Sequence, residues 1–298
     1  MTIASAPSAL LAHLGILRFS GADARSFLQG QISNDAQRLT ENIPVFAAYS
    51  SPQGRVLALI YLLPHSSGIA AILPREILQP TLERMRKYIM RAKVRIEDAG
   101  DSLAVAGRFG AAPGSTPHYV ERDGVGLAPV GRDQNRCWII GPSAKIEGAP
   151  GELGAPDAGS AAGFEQAWRL ADIRAGLPQV YAATSETFVA QMLNLDLLDG
   201  ISFSKGCYTG QEIIARTQHL GRIKRRLYRL QLPSGAWSIG QAVQLRDGRQ
   251  GRLTEVIESN GRVEALAVLN VEPVPPTAGE AAVEDLTDAA ELPLPYKV

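Results

Sequence analysis

The sequence has few cysteines, no net charge and no long apolar run. Two cysteines among 298 residues cannot form a disulfide framework or supply the four ligands of an iron–sulfur cluster or a structural zinc. We therefore expect no intrinsic metal or cluster. No stretch approaches 18 uninterrupted apolar residues, and the first fifteen residues contain no Lys or Arg for a signal peptide. We expect a cytoplasmic protein without membrane association.

Acidic and basic residues balance at 30 each, so the whole chain has no electrostatic attraction to nucleic acid or anionic membrane. Few aromatic residues are interleaved with the basic ones to stack on bases, and we expect no direct nucleic-acid binding. Six cations lie between Arg84 and Arg95, and six more lie between Arg216 and Arg229. We interpret the first cluster as a solvated face. The second cluster suits an anionic ligand.

Helical and strand patterns alternate through residues 1–224 and give way to strands in residues 225–298. The apolar run 56–63 predicts a buried strand, and the period that begins at Phe164 predicts a helix up to Gly176. The Gly-, Ala- and Pro-rich interval 148–163 is interpreted as a loop or module junction. Asp-Gly and Asn-Gly turns after Gly221 predict a small all-β module, followed by an acidic, proline-rich tail.

The surroundings of Cys207 favour a reactive thiol. Lys205 lies two positions before it, and Gly206 and Gly210 lie on either side. A lysine and two glycines rarely form part of a packed core. A lone cysteine is more often a small buried apolar residue. Cys137, in the apolar run R-C-W-I-I, fits that alternative.

A helix is predicted to begin just after Cys207. Thr209 and Glu212 have the spacing of a capping box, so the helix should run from near Gly210 to Gly221. Unpaired N–H groups and the positive end of the helix dipole, with the lysine ammonium nearby, favour the thiolate over the thiol.

The stretch K-G-C-Y-T-G-Q-E at 205–212 resembles the K-G-C-Y-x-G-Q-E signature of the YgfZ folate-binding family, whose relatives include the glycine-cleavage T-protein, an aminomethyltransferase. F-L-Q-G-Q-I-S-N-D at 27–35, P-Q-G-R at 52–55 and D-I-R-A-G-L-P at 172–178 match further segments of that family. The segment 194–203 leads into the signature. The matches occur in the family's order and cover most of the chain.

The resemblance implies an α+β fold in which two ferredoxin-like lobes and a C-terminal small β-barrel form a clover-leaf around a central folate pocket. It implies a tetrahydrofolate-binding accessory factor for the assembly or maintenance of iron–sulfur enzymes, including tRNA-modifying ones. Folate and client iron–sulfur proteins are therefore the expected partners, and any cluster belongs to the client.

The same resemblance implies the site residues. Cys207 and Lys205 would carry the chemistry, and Gly206, Gly210 and Glu212 would be motif positions. The predicted folate contacts are Tyr49, Arg174, Tyr208, Gln211, Arg216 and Arg226.

A tetrahydrofolate-dependent aminomethyl transferase is the alternative function. The T-protein's acidic positions fall on Ala58 and Leu59 here, and its pterin-binding glutamate falls on Arg174. Guanidinium offers only donors where the pterin's paired N–H groups need an acceptor. His219 would lie about 15 Å from the thiol along the predicted helix and is interpreted as a dipole partner. Whether the protein is an enzyme is left open.

Overall fold

The structure is a computed structural model that describes residues 8–110, 118–131, 133–146, 161–219, 221–273 and 289–298. The predicted mixture of α and β elements is confirmed, and the strands form three antiparallel sheets of five strands each. Most of the predicted junction at 148–163 and most of the acidic tail lie outside the described residues. Among those described, no helix is long and apolar enough to cross a bilayer.

The strands, in chain order, are β1 (Ser8–Leu10), β2 (Leu14–Ser20), β3 (Val45–Ser50), β4 (Val56–His65), β5 (Gly68–Pro74), β6 (Arg95–Asp98), β7 (Ala104–Phe109), β8 (Val120–Arg122), β9 (Val125–Val130), β10 (Asp133–Gly141), β11 (Arg225–Leu232), β12 (Ala242–Gln244), β13 (Gln250–Ser259), β14 (Arg262–Asn270) and β15 (Ala290–Leu292). The helices are α1 (Ala24–Gln29), α2 (Leu78–Arg86), α3 (Ser143–Ile146), α4 (Ala161–Ala175) and α5 (Gln211–His219).

The first sheet has the strand order β3–β4–β5–β2–β6 and separates two cores. Side chains alternate across a strand, so Leu17 and Phe19 pack in a core with α1 and α2, whereas Ile16 packs on the other face. The predicted strand at 56–63 is confirmed as β4, and its residues are buried on both faces. This double burial explains why the run is apolar without alternation.

Two helices, α1 and α2, pack on one face of the first sheet. Phe27 and Leu28 of α1 are buried, and the helix ends at the residue before Gly30. The helix α2 begins at Leu78, and Pro80 lies in its first turn, where a proline is tolerated. The helix ends at Arg86, and Ile89 beyond it packs only partly against the core.

The second sheet has the order β1–β7–β10–β9–β8 and carries α4 on one face. Trp168 of α4 lies over Gly107 so closely that a Cβ at 107 would be 2.5 Å from the indole ring. The predicted helix from Phe164 is confirmed as α4, which ends at Ala175, directly before Gly176, whose φ is +65°. Cys137 is buried in β10, as predicted.

The third sheet has the order β12–β13–β14–β11–β15. The Asn260–Gly261 turn between β13 and β14 is confirmed, with positive φ at both residues. The predicted barrel is wrong for the described residues, because β12 and β15 lie at opposite edges of an open sheet. Closure needs a hydrogen-bonded pair of edge strands, and turn residues alone do not determine it.

Candidate functional site

The signature loop, residues 202–210, packs against the end of α1. Its Thr209 N–H donates to Gly30 O at 3.2 Å, and its Ser202 N–H donates to Ser33 O at 3.0 Å. The tertiary structure therefore brings the signature into contact with the segment 27–35, although the two are about 170 residues apart.

The loop also packs against the turn at 51–54. Gly210 has φ +82°, and a Cβ there would lie 2.6 Å from Ser51 O. Gly54 faces the start of α5, where a Cβ would lie 2.7 Å from Ile213. A side chain at either glycine would separate the loop from this turn.

Lys205 holds the signature loop in place. Its ammonium donates to three main-chain carbonyls, Gln29 O at 2.7 Å, Ile32 O at 2.7 Å and Asn34 O at 2.9 Å. It also lies 4.8 Å from the centroid of the Tyr208 ring. Burial lowers the pKa of Lys205 to about 8, against the opposing effect of the Asp35 carboxylate.

This geometry changes the role of Lys205 from the one that the sequence suggests. An ammonium has three protons, and all three are directed to carbonyl oxygens rather than to the thiol. Lys205 therefore positions the backbone that carries Cys207. Its effect on the ionisation of the thiol stays a prediction.

Cys207 is exposed at the open side of the loop. A Cβ at the neighbouring Gly206 would meet no atom within 4 Å. Phe203 of the same loop is 45% exposed, and its ring centroid lies 6.2 Å from that of His219 at the other end of α5. A solvent-borne reagent or a partner protein can therefore reach the sulfur.

The helix that follows Cys207 is confirmed, with bounds slightly inside those predicted. Glu212 lies in its first turn. Among the described residues, the side-chain bond at its start comes from Gln211, whose Oε1 accepts from Tyr208 N–H at 3.2 Å. This bond replaces the predicted capping box of Thr209.

The predicted folate contacts fall into separate places. Tyr208 belongs to the signature loop, and Gln211 is the first residue of α5. Tyr49 is buried in β3, where burial raises its pKa to about 12. Arg226 forms a two-pronged ion pair with Asp196, at 2.6 and 2.9 Å.

Two more arginines were predicted to contact folate. Arg216 is exposed on α5 and has no partner among the described residues. Arg174 lies in the last turn of α4, and its guanidinium group bonds the carboxylate of Glu264. All six assignments stay predictions.

Arg174 lines a cleft of about 580 Å³, which we call the large cleft. Its other walls include Asp133 and Asn135 of β10, Ala175 of α4, Leu198 and Tyr296. Leu198 also lines a small cleft of about 220 Å³, together with Phe46 and Tyr61 of the first sheet. The described linings of both clefts exclude Cys207.

The large cleft carries charges of both signs. Arg174 and Asp133 belong to its lining. Arg174 shares the carboxylate of Glu264 with Arg229, at 2.7 and 2.6 Å, and these two partners lie outside the described lining. Burial opposes ionisation of Glu264, but the two guanidinium groups outweigh it and lower the pKa of the carboxyl. Asp133 accepts from the Nε of the buried Arg136 at 2.6 Å. The cleft can therefore receive a ligand with both an anionic group and N–H donors.

The sequence reasoning missed Asp133, Tyr61 and Tyr296. Tyr61 lies within the strand predicted at 56–63, and its hydroxyl is buried without a partner among the described residues. Asp133 and Tyr296 line the large cleft and Tyr61 lines the small one. Each cleft forms only where segments distant in sequence pack together, so no local spacing indicates these residues. Among the described residues, no group of three or more His, Cys, Asp or Glu could hold a metal ion.

Comparisons with known proteins give relatives over most of the chain, although no protein-family model matches it. The tRNA-modifying protein YgfZ of Escherichia coli strain SE11 is 30% identical over 301 residues, which cover 94% of this chain and 90% of that protein. The YgfZ of Hamiltonella defensa is 33% identical over 249 residues, covering 80% and 71%.

A solved structure has a similar fold. The crystal structure of the glycine cleavage system aminomethyltransferase T from Bartonella henselae has a TM-score of 0.65 and covers 89% of this chain and 79% of that one. The two sequences are 13% identical, so this likeness concerns the fold alone.

Gly210→Ala should lower the free energy of unfolding by at least about 2 kcal/mol. The left-handed backbone disfavours a Cβ by about 1–2 kcal/mol, and the contact with Ser51 O adds to this cost. Gly206→Ala is the matched control and should stay within about 1 kcal/mol of wild type. Urea denaturation measures both, and equal stability of the two variants would contradict the close contact at Gly210.

Lys205→Met should lower the free energy of unfolding by about 2–4 kcal/mol at pH 7, because carbonyl oxygens lose a charged donor. Lys224→Met makes the same change at an exposed position and should have an effect within about 0.5 kcal/mol. Denaturant titration of both variants tests the assignment. If Lys205→Met lowers the free energy of unfolding no more than the control does, the three hydrogen bonds do not hold the loop in place.

The same variant has a defined pH dependence. Because the folded-state pKa of Lys205 is lowered from 10.5 to about 8, the unfolded chain binds more protons at this residue between those pH values. Stability therefore rises with pH there, and the difference between wild type and Lys205→Met should grow from pH 7.5 to pH 9.5. A shrinking difference would mean that the carbonyls raise this pKa.

Proposed function

Because the chain belongs to the YgfZ family, we propose that it is a tetrahydrofolate-binding accessory factor for the assembly or maintenance of iron–sulfur enzymes, including tRNA-modifying ones. The observation that carries the proposal is the exposed thiol of Cys207 on a loop held by Lys205. A fixed, accessible sulfur suits chemistry on a second macromolecule, since the partner can approach without opening the protein. Client iron–sulfur proteins are the proposed partners.

Folate is proposed to bind in the large cleft. The proposal is that Arg174 receives a carboxylate of the ligand, since it and Arg229 share a single glutamate. Asp133 can accept hydrogen bonds from the N–H donors of a pterin. The guanidinium group of Arg174 cannot, because it has no acceptor atom. The cleft volume of about 580 Å³ lies within the usual range for small-molecule sites. In this proposal the cleft is the centre of a clover-leaf made by two ferredoxin-like lobes and the third sheet.

The aminomethyl transferase remains the second candidate, favoured by the fold shared with the Bartonella henselae enzyme. Two observations weigh against it. Ala58 and Leu59, the residues at the T-protein's acidic positions, are completely buried in β4. Cys207 also lies outside the described lining of the large cleft. Turnover of labelled methylene-tetrahydrofolate that disappears in Cys207→Ala would favour the transferase, and tight binding without turnover favours the accessory factor.

Cys207→Ser should abolish complementation of a defect in an iron–sulfur enzyme while leaving the fold and folate affinity unchanged. The side chain is exposed, so the free energy of unfolding should change by less than about 0.5 kcal/mol. Ser204→Ala, a change at an exposed neighbour, should complement fully. Growth assays and denaturation measure these effects, and complementation by the serine variant would rule out thiol chemistry.

Arg174→Gln should weaken tetrahydrofolate binding about tenfold, because a charged hydrogen bond to a ligand carboxylate contributes about 1.5 kcal/mol. Arg91→Gln removes an exposed arginine outside the described lining of the cleft and should leave the affinity unchanged. Isothermal titration calorimetry measures both. Equal affinity of the two variants would place the ligand elsewhere.

A further inference from the structure

Residues 293–298, which we call the strap, cross from the third sheet to the end of α4. The strap follows β15, which pairs with β11 through Arg229↔Leu292 and two further residue pairs. The Nη1 of Arg229 then donates to Pro293 O at 3.3 Å. One end of the strap is therefore attached to the third sheet by main-chain pairing.

The other end is attached to α4 by one side chain. The hydroxyl of Tyr296 donates to Gly176 O at 2.7 Å and accepts from the Nδ2 of Asn194 at 3.5 Å. A Cβ at Gly176 would lie 2.7 Å from both Leu294 and the Tyr296 hydroxyl. The bare backbone at the end of α4 is thus the surface on which the strap rests.

The strap forms a wall of the large cleft. Pro295 and Tyr296 line it together with Arg174 and Ala175 of α4 and Asp133 of β10. Tyr296 presents a large apolar ring in a cleft whose other walls supply the charges. A planar ligand between α4 and β10 would contact this ring.

The attachment of the strap is weak compared with the sheets around it. Only Leu294 and Tyr296 are partly buried, and the residues between and after them are exposed. Segments held by few buried contacts open locally at lower free energy than the whole domain unfolds. The strap can leave α4 while β15 stays paired.

We propose that the strap is a gate of the large cleft and that Tyr296 is its latch and a ligand-contacting residue. Opening of the strap admits the ligand, and the closed strap sets how long the ligand stays. The identity of the ligand, a folate, rests on the proposed function. The gate itself does not, because it follows from the cleft wall and its attachments.

A cysteine reporter in the cleft tests the gate without any ligand. Ala175→Cys is introduced in a Cys207→Ser background, where the remaining Cys137 is buried. Adding Tyr296→Ala should raise the rate of labelling by N-ethylmaleimide about tenfold, since the latch bond and the partly buried ring are lost. Tyr296→Phe loses only the hydrogen bond, so its labelling rate should lie between those of the parent protein and Tyr296→Ala.

Two controls separate gating from general destabilisation. Tyr88→Ala removes a partly exposed tyrosine outside the described cleft lining and should leave labelling of the reporter unchanged. In the chain with its natural Cys207, Tyr296→Ala should leave labelling of that thiol unchanged. Equal labelling of the reporter with and without Tyr296→Ala would overturn the gate, as would an equal rise at Cys207.

Tetrahydrofolate then separates the gate from the proposed function. The ligand should slow labelling of the reporter, and it should dissociate about tenfold faster from Tyr296→Ala than from the parent protein, because the ring contact and the latch are both lost. If Tyr296→Ala raises the labelling rate of the reporter but tetrahydrofolate does not lower that rate, the result would support the gate and contradict the proposed function. If tetrahydrofolate slows labelling but dissociates from Tyr296→Ala at the same rate as from the parent protein, the result would overturn the gate and support the proposed function.

Discussion

The contact between the Lys205 ammonium and three carbonyl oxygens organises the candidate site. Gln29 is the last residue of α1, Ile32 and Asn34 follow it, and the three carbonyls converge on this one cation. A lysine is able to do this because its three donors rotate freely and need no planar arrangement. The arrangement fixes the loop without using the thiol, which leaves Cys207 free at the surface.

The thiol of Cys207 lies outside the described lining of the large cleft. The thiol lies on an exposed loop beside the first sheet, whereas the large cleft is formed by β10, α4, Leu198 and the strap. Arg174 belongs to the cleft, where it shares Glu264 with Arg229 of β11. In the proposed function, ligand binding and thiol chemistry would therefore use separate surfaces, an arrangement that suits an accessory protein.

Local patterns predicted most elements of the fold. The buried β4, the helix ending directly before Gly176 and the Asn260–Gly261 hairpin follow from apolar runs and from residues that accept positive φ, which act over a few positions. The barrel prediction was wrong because closure depends on pairing of the edge strands. For the site, the exposure of Cys207 was predicted, whereas the contacts of Lys205 were not, since its partners are more than 170 residues away.

The sequence by itself determined the local features of the candidate site: a thiol between glycines, a lysine two positions before it and a helix directly after it. These are properties of neighbouring residues, and short-range sterics and hydrogen bonding act on neighbours. Only the tertiary structure decided that Lys205 binds carbonyls, that Arg174 lies in a separate cleft and that Tyr296 forms part of its wall. Each of these depends on contacts between segments distant in sequence, whose meeting is decided by packing of the whole chain.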